Sequence, residues 1–378
     1  MKHIYLDYAA ATPVDPKVMA AMQPYFSDTF FNPSATYLRA RDVSKKVQEA
    51  RESIAKSLGV RPAELIFTAG GSEANNLAIH GIMKQFPDKH LVVGASEHAS
   101  VLEPAKAYRH DVARLHTDGR IDLEALSKAI SEDTVLVSVM LANNEIGTIA
   151  PLRKVADLIK TIRQKRSVEG NTLPLYLHSD VCQAVFYLDT HPTRLGADLL
   201  TFNGGKIYGP KQSGLLYVKT GVQISSLIQG GGQERNLRSG TENVPSIIGF
   251  KEAFCRAVKK HEQNHAQLAD LQASFITLLA QHVPQAQLNG SEKYRLPNNV
   301  HITIPGCDNE RVMMELDERG IECAVGSACS ASHDEPSHVL KAIGLTDAEA
   351  QSSLRFTMGL ETTKEDIETA VLALRDCL

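Results

Sequence analysis

Five short apolar runs punctuate the middle of the chain: LVVGAS (91–96), TVLVSVML (134–141), LPLYLHSD (173–180), ADLLTF (197–202) and GLLYV (214–218). Runs of this length with little polar alternation predict strands, most of them buried on both faces. Segments with apolar residues near helical spacing lie between them, as at 151–166. Strands alternating with helices predict a mainly parallel sheet with helices on both faces. Such sheets bind ligands beyond the carboxyl ends of their strands. Polar groups stand at those ends: His98 after the first run, Asn143 and Asn144 after the second, Asp180 at the end of the third and Lys206 after the fourth. Four strands thus aim a polar group at one edge.

After about residue 245 the texture changes. A helical pattern rich in Ala, Glu, Lys and Gln runs from 244 to 283, NNVHITI (298–304) alternates as a strand, and RVMMELDERG reads as a helix stopped by Gly320. The tail TTKEDIETAVLALRDCL starts with a capping threonine and predicts a terminal helix. A smaller α/β domain following the sheet domain is expected. The length of 378 residues fits this, at roughly 100–200 residues per domain.

Composition narrows the function classes. Hydrophobic residues make up 43% and charged ones 22%, as in ordinary globular proteins. A net charge of -4 gives no basic field for nucleic acid. No apolar run reaches the roughly 18 residues that span a bilayer, and MKHIYLDYAA lacks a signal-peptide core. Six scattered cysteines form no CxxC pair and no Cys/His cluster, so zinc and a disulfide framework are both disfavoured. A cytoplasmic setting with reduced thiols is expected.

Four stretches carry candidate chemistry. FTAGGSEANNLAI (67–79) passes from a strand through Gly70, Gly71 and Ser72 into a helix. Such a turn presents backbone N–H groups to a phosphate, or simply caps the helix with Ser72. In HSDVCQAV (178–185), Asp180 ends an apolar strand and needs an N–H or cationic partner, either a helix start or a protonated ring nitrogen. In TFNGGKIYGPKQSG (201–214), Lys206 follows two glycines that permit close backbone approach, so it is either a solvated turn lysine or an amine poised for a Schiff base. In GIECAVGSACSASHDEPSHVLKAIG (320–344), Cys323 lies in an apolar stretch and reads as core. Cys329 lies among small polar residues that read as a mobile loop, where a thiol is either incidental or a nucleophile. A phosphate cradle, an aspartate for a ring nitrogen, His98 for stacking and a lysine amine together describe a pyridoxal phosphate site.

Nearly the whole chain resembles the cysteine desulfurase family of the NifS/IscS-like group. The likeness runs through YLDYAAATP, FNPSA, FTAGGSEANNLAI, SEHASV, NNEIG, HSDVCQAV, GGGQERNLRSGTEN, GSACSA, EPSHVLKAIGL and SSLRFTMG, in that order. It implies a fold-type I pyridoxal phosphate enzyme of the α/β class. A mainly parallel seven-stranded sheet would occupy a large domain at 16–250, and residues 1–15 and 251–378 would form the small domain with a cysteine loop at about 326–335. The implied reaction converts L-cysteine to L-alanine and leaves the sulfur as a persulfide on Cys329. By the same resemblance Lys206 would bind the cofactor covalently, Asp180 would pair with the pyridine nitrogen, and Gln183 would bond the phenolic oxygen. His98 would stack on the ring and move protons. Gly71, Ser72 and Asn203 would cradle the phosphate, completed by Thr241 of the other subunit of a homodimer. Asn144, which would also touch the cofactor, and Arg355 would hold the substrate carboxylate. A sulfur-acceptor protein, either a cluster scaffold or a tRNA-modifying enzyme, would be the partner, with no direct nucleic-acid or membrane contact and no metal.

Some residues depart from the family pattern. Asn203-Gly204-Gly205 stands where relatives usually carry Ser-Gly-His before the lysine. A lost hydrogen bond to a charged group is worth about 1.5–3 kcal/mol, or roughly tenfold to hundredfold in affinity, so weaker cofactor binding is expected. Cys182 replaces a small residue and is expected to pack against the ring, and nothing accounts for Tyr37 where a histidine is common. Relatives that serve a cluster scaffold often extend further than Leu378, which leaves tRNA-modifying acceptors open. A selenocysteine lyase and a non-catalytic scaffold are the alternatives.

Overall fold

A computed structural model describes residues 3–326 and 336–378. A two-residue strand, β1 (Ile4–Tyr5), precedes seven that build the central sheet: β2 (Leu65–Thr68), β3 (His90–Gly94), β4 (Arg109–Ala113), β5 (Thr134–Ser138), β6 (Tyr176–Asp180), β7 (Leu199–Asn203) and β8 (Gly214–Val218). Their order is β2-β8-β7-β6-β5-β3-β4, and β8 alone runs opposite to the other six. The five apolar runs become β3, β5, β6, β7 and β8. Neighbouring residues on these strands point to opposite faces, so Leu199 and Leu216 pack into one apolar cluster and Leu200 and Leu215 into the other.

Helix Gly71–Met83 packs on one face, burying Ala74, Leu77, Ala78, Ile79, Ile82 and Met83 and leaving Ser72, Glu73, Asn76 and His80 at least partly exposed. Its first turn requires Gly70, whose φ of 135° few side-chain-bearing residues adopt. The cap is therefore Gly70, and Ser72 sits inside the helix.

The smaller part of the molecule holds a three-stranded antiparallel sheet, β9 (Gln287–Leu288), β10 (Asn299–Thr303) and β12 (Ser353–Thr357), with β10 in the middle. β11 (Ile321–Glu322) pairs in parallel with β1, which brings the first residues of the chain to this end. The helix expected from 244 runs from Val244 to His282, and the Asn243 side chain caps it by accepting the Ser246 N–H at 3.2 Å. It packs against helix Leu38–Leu58 and against the terminal helix Lys364–Asp376, so it touches both parts.

Candidate active site

The carboxyl ends of the parallel strands converge on one cleft, as the strand pattern predicts. β6 ends in Asp180, which is 7% exposed. Its carboxylate accepts the Cys182 N–H at 2.9 Å and the Asn75 side-chain amide at 2.7 Å. Asp180 thus fastens the turn after its strand and still faces the cleft. Asn75, from helix Gly71–Met83, also donates to Ser100 Oγ at 2.9 Å, and its own buried carbonyl oxygen has no partner among the described residues.

His98 caps the short helix Ala99–Ala105, where its Nδ1 accepts the Ser100 N–H at 3.1 Å. With Nδ1 engaged as an acceptor, the neutral ring carries its proton on Nε2.

β7 leads into a single tight turn, Gly204–Lys206, in which the Gly204 N–H donates to the Ser213 carbonyl at 2.9 Å and Asn203 Oδ1 accepts the Gly205 N–H at 3.0 Å. Gly204 admits no side chain, since a Cβ there would lie 2.1 Å from Ser213 Oγ. Gly205 differs: a Cβ would meet Asn203 Oδ1 at 3.5 Å and Lys211 Cγ at 3.9 Å, which is ordinary contact. Lys206 Nζ donates to the carbonyls of Ala9 and Ala10 at 2.7 and 2.6 Å, and Gln183 Nε2 donates to Ala9 at 3.0 Å.

Asn143 organises the turn after β5, with Oδ1 accepting the N–H groups of Glu145 and Ile146 at 2.8 and 2.9 Å. Asn144, the next residue, then lines the cleft, and its carbonyl accepts from Arg355 Nη1 at 3.1 Å. Arg355 is 1% exposed and pairs with Asp7 at 2.7 Å, while its buried Nε has no partner among the described residues.

One cleft therefore gathers Gly71, Ser72, His98, Asn144, Asp180, Gln183, Asn203, Lys206 and Arg355. Thr241 lies apart, in a neighbouring hollow with Thr68, Gln212 and Arg238. Cys329 lies outside the described residues, as does most of the loop that carries it.

Several contributors escape the sequence reading. Asn75 is one, although its place in FTAGGSEANNLAI, three residues after Ser72 on a buried helix face, marks it out. The carbonyls of Ala9 and Ala10 are others. Ser337 donates to the buried Glu145 carboxylate at 2.5 Å, and His338 Nε2 lies 3.0 Å from the Glu97 carbonyl, tying residues 337–338 to two edges of the cleft.

Burial also sets the charge state of two neighbours. The Cys182 thiol is pushed well up, first by burial and then by Asp180, and its sulfur would lie 3.0 Å from a Cβ on Gly71. That close fit matches a packing role. The Glu97 carboxyl is pushed up to about 8 by burial. It accepts the Met140 N–H at 2.5 Å, and its second oxygen has no partner among the described residues.

Pyridoxal phosphate fits this donor set. A buried carboxylate, a lysine amine and a glycine turn line one cleft, and the buried Asn75 Oδ1 and Arg355 Nε have no hydrogen-bond partner among the described residues. Among the described residues no cluster of His, Cys, Asp or Glu fits a metal ion, and no helix is long and apolar enough to cross a membrane.

The Aminotransferase class-V family matches residues 4–370, and the chain belongs to that family, whose members depend on pyridoxal phosphate. It is similar to the cysteine desulfurase IscS of Dictyoglomus turgidum, at 40% identity over 97% of this chain and 92% of that one. The cysteine desulfurase IscS 1 of Archaeoglobus fulgidus is 38% identical over 96% and 94%. Among solved structures, the NifS-like protein from Rickettsia africae superposes with a TM-score of 0.88 at 30% identity, covering 100% of this chain and 99% of that one. SspA in complex with cysteine superposes at 0.80 with 32% identity, covering 94% and 98%. Within class V, the chain is a member of the cysteine desulfurase family.

Proposed function

We propose that this chain converts L-cysteine to L-alanine with pyridoxal phosphate and passes the sulfur to Cys329 as a persulfide for delivery to an acceptor protein. The observation that carries the reading is the convergence of Lys206, Asp180, His98 and Arg355 on one cleft, in a chain whose relatives are cysteine desulfurases.

When bound, the cofactor supplies an electron sink that loosens bonds at the substrate's α-carbon. Lys206 would anchor it covalently, and Gly71, Ser72 and Asn203 line the side of the cleft suited to its phosphate. Asp180, oriented by Asn75 and by the Cys182 N–H, would keep the ring nitrogen protonated. Gln183 would donate to the phenolic oxygen. His98 would stack on the ring and move a proton at Nε2, its Nδ1 being occupied by Ser100. Arg355 would receive the substrate carboxylate beside Asn144, and its unmet Nε–H supports that role. The Cys329 thiolate would then take the substrate sulfur: the C–S bond breaks, an S–S bond forms, and the carbon is protonated to alanine.

Residues 16–250 would form the cofactor domain, and 1–15 with 251–378 the small one. Thr241, apart from the Lys206 cleft of its own chain, would complete the phosphate site of a second copy in a homodimer. The described cysteines are all unpaired, in keeping with a cytoplasmic protein.

The test measures alanine and sulfide from L-cysteine with cofactor and a thiol reductant, for wild type and Cys329→Ser. Equal release of both products, lost in the variant, is expected. A wild type that holds its cofactor and yields no alanine would overturn the reading. Alanine from selenocysteine alone would replace it with a selenocysteine lyase.

A further inference from the structure

The hollow bordered by Ser72, Asn203, Gly205 and Lys206 has an open stretch of wall, because Gly205 contributes no side chain there. The nearest side chain across that gap, after Asn203, belongs to Lys211, whose Cγ lies 3.9 Å from where a Gly205 Cβ would stand. The Lys211 ammonium donates to the Thr12 carbonyl at 2.6 Å, a neutral acceptor. No carboxylate among the described residues forms an ion pair with it. The one acidic side chain among the described residues on this wall, Glu73, is already bound to Arg238 at 2.8 Å and to the Ala69 N–H at 3.0 Å. Lys211 therefore brings to the hollow a positive charge that no carboxylate there offsets.

The next residue adds an independent sign. Gln212 has φ 57°, a left-handed backbone that a residue with a side chain adopts only at a cost. A glycine would carry that conformation without strain, yet a side-chain amide is present where the hollow meets the one containing Thr241.

We propose that Lys211, with Gln212 beside it, grips the phosphate of the cofactor in the space Gly205 leaves open. This rests on the pyridoxal phosphate reading of the site. The ammonium would turn from the Thr12 carbonyl to a phosphate oxygen, a stronger charge-assisted bond.

The test titrates cofactor-free protein with pyridoxal phosphate and with pyridoxal, followed by absorbance. Lys211→Met is expected to weaken the phosphorylated form by about tenfold or more and to leave pyridoxal within about twofold. Lys211→Gln, which keeps a donor for Thr12, is expected to do the same and guards against a folding defect. Gly205→His added to Lys211→Met is expected to recover most of the loss, since the site has room for a side chain. Equal losses for both ligands, or no loss for either, would overturn the proposal. Wild type that binds neither ligand would overturn the cofactor reading itself.

Discussion

Cys182 lies beside the cleft with a thiol that burial and the charge of Asp180 keep protonated. A protonated thiol is a poor nucleophile. Cys182→Ala should therefore leave alanine formation within about threefold while costing about 1 kcal/mol of stability, read by a rate assay and by denaturant unfolding. A folded variant without activity would give the thiol a chemical role. Glu97 shows its environment through pH. Its carboxyl is raised to about 8 in the folded protein, against an unfolded value near 4.3. Between those values the folded state holds a proton that the unfolded state has released, so stability falls as pH rises through that window. Glu97→Gln removes the titration and keeps an acceptor for Met140. Melting curves from about pH 5 to pH 8 should fall less steeply for the variant, and parallel curves would refute the assignment. His98, Asp180 and Lys206 were legible because they sit at the ends of conspicuous apolar runs. The carbonyls of Ala9 and Ala10 were not, because any residue offers a carbonyl and only the fold decides which ones face the lysine.

Among the elements, strands buried on both faces announced themselves and polar ones did not. Three of the five residues of β4 are exposed, Arg109, Asp111 and Val112, because it forms the sheet edge. β1 and β11, at two residues each, are too short to show any period. The strap at 233–237 is another element that hydrophobic pattern does not reveal. Glu234, Arg235 and Asn236 take left-handed φ values of 45°, 59° and 64° in succession. Buried partners hold the first two there. Arg51 grips Glu234 through two hydrogen bonds of 2.8 and 2.6 Å, Glu234 accepts the Phe67 N–H at 3.0 Å, and Arg235 donates to the Leu65 carbonyl at 2.7 Å. Arg51 also lies 4.6 Å from the Phe67 ring centroid. Arg51→Met would leave a buried carboxylate without its cation and should cost about 3–5 kcal/mol. A change below about 1 kcal/mol in urea unfolding would show that the strap holds without the pair.

At the scale of the whole molecule, the separation of Thr241 from its own lysine yields a test of assembly. The protein should sediment at twice the 41.3 kDa of one chain. Mixed chains carrying Lys206→Ala and Thr241→Ala should regain wild-type cofactor affinity in one site per heterodimer, because one site then combines an intact lysine with an intact threonine. No recovery on mixing would confine Thr241 to its own chain. The pairing of β1 with β11, and of Asp7 with Arg355 across 348 residues of chain, has a consequence for synthesis. A ribosome releases Ala9 and Ala10 well before Arg355. The central sheet can form while translation continues, whereas the proposed carboxylate site at Arg355 waits for β12. A nascent chain that has not yet reached Arg355 is thus expected to lack the proposed substrate site, whatever cofactor its sheet already holds.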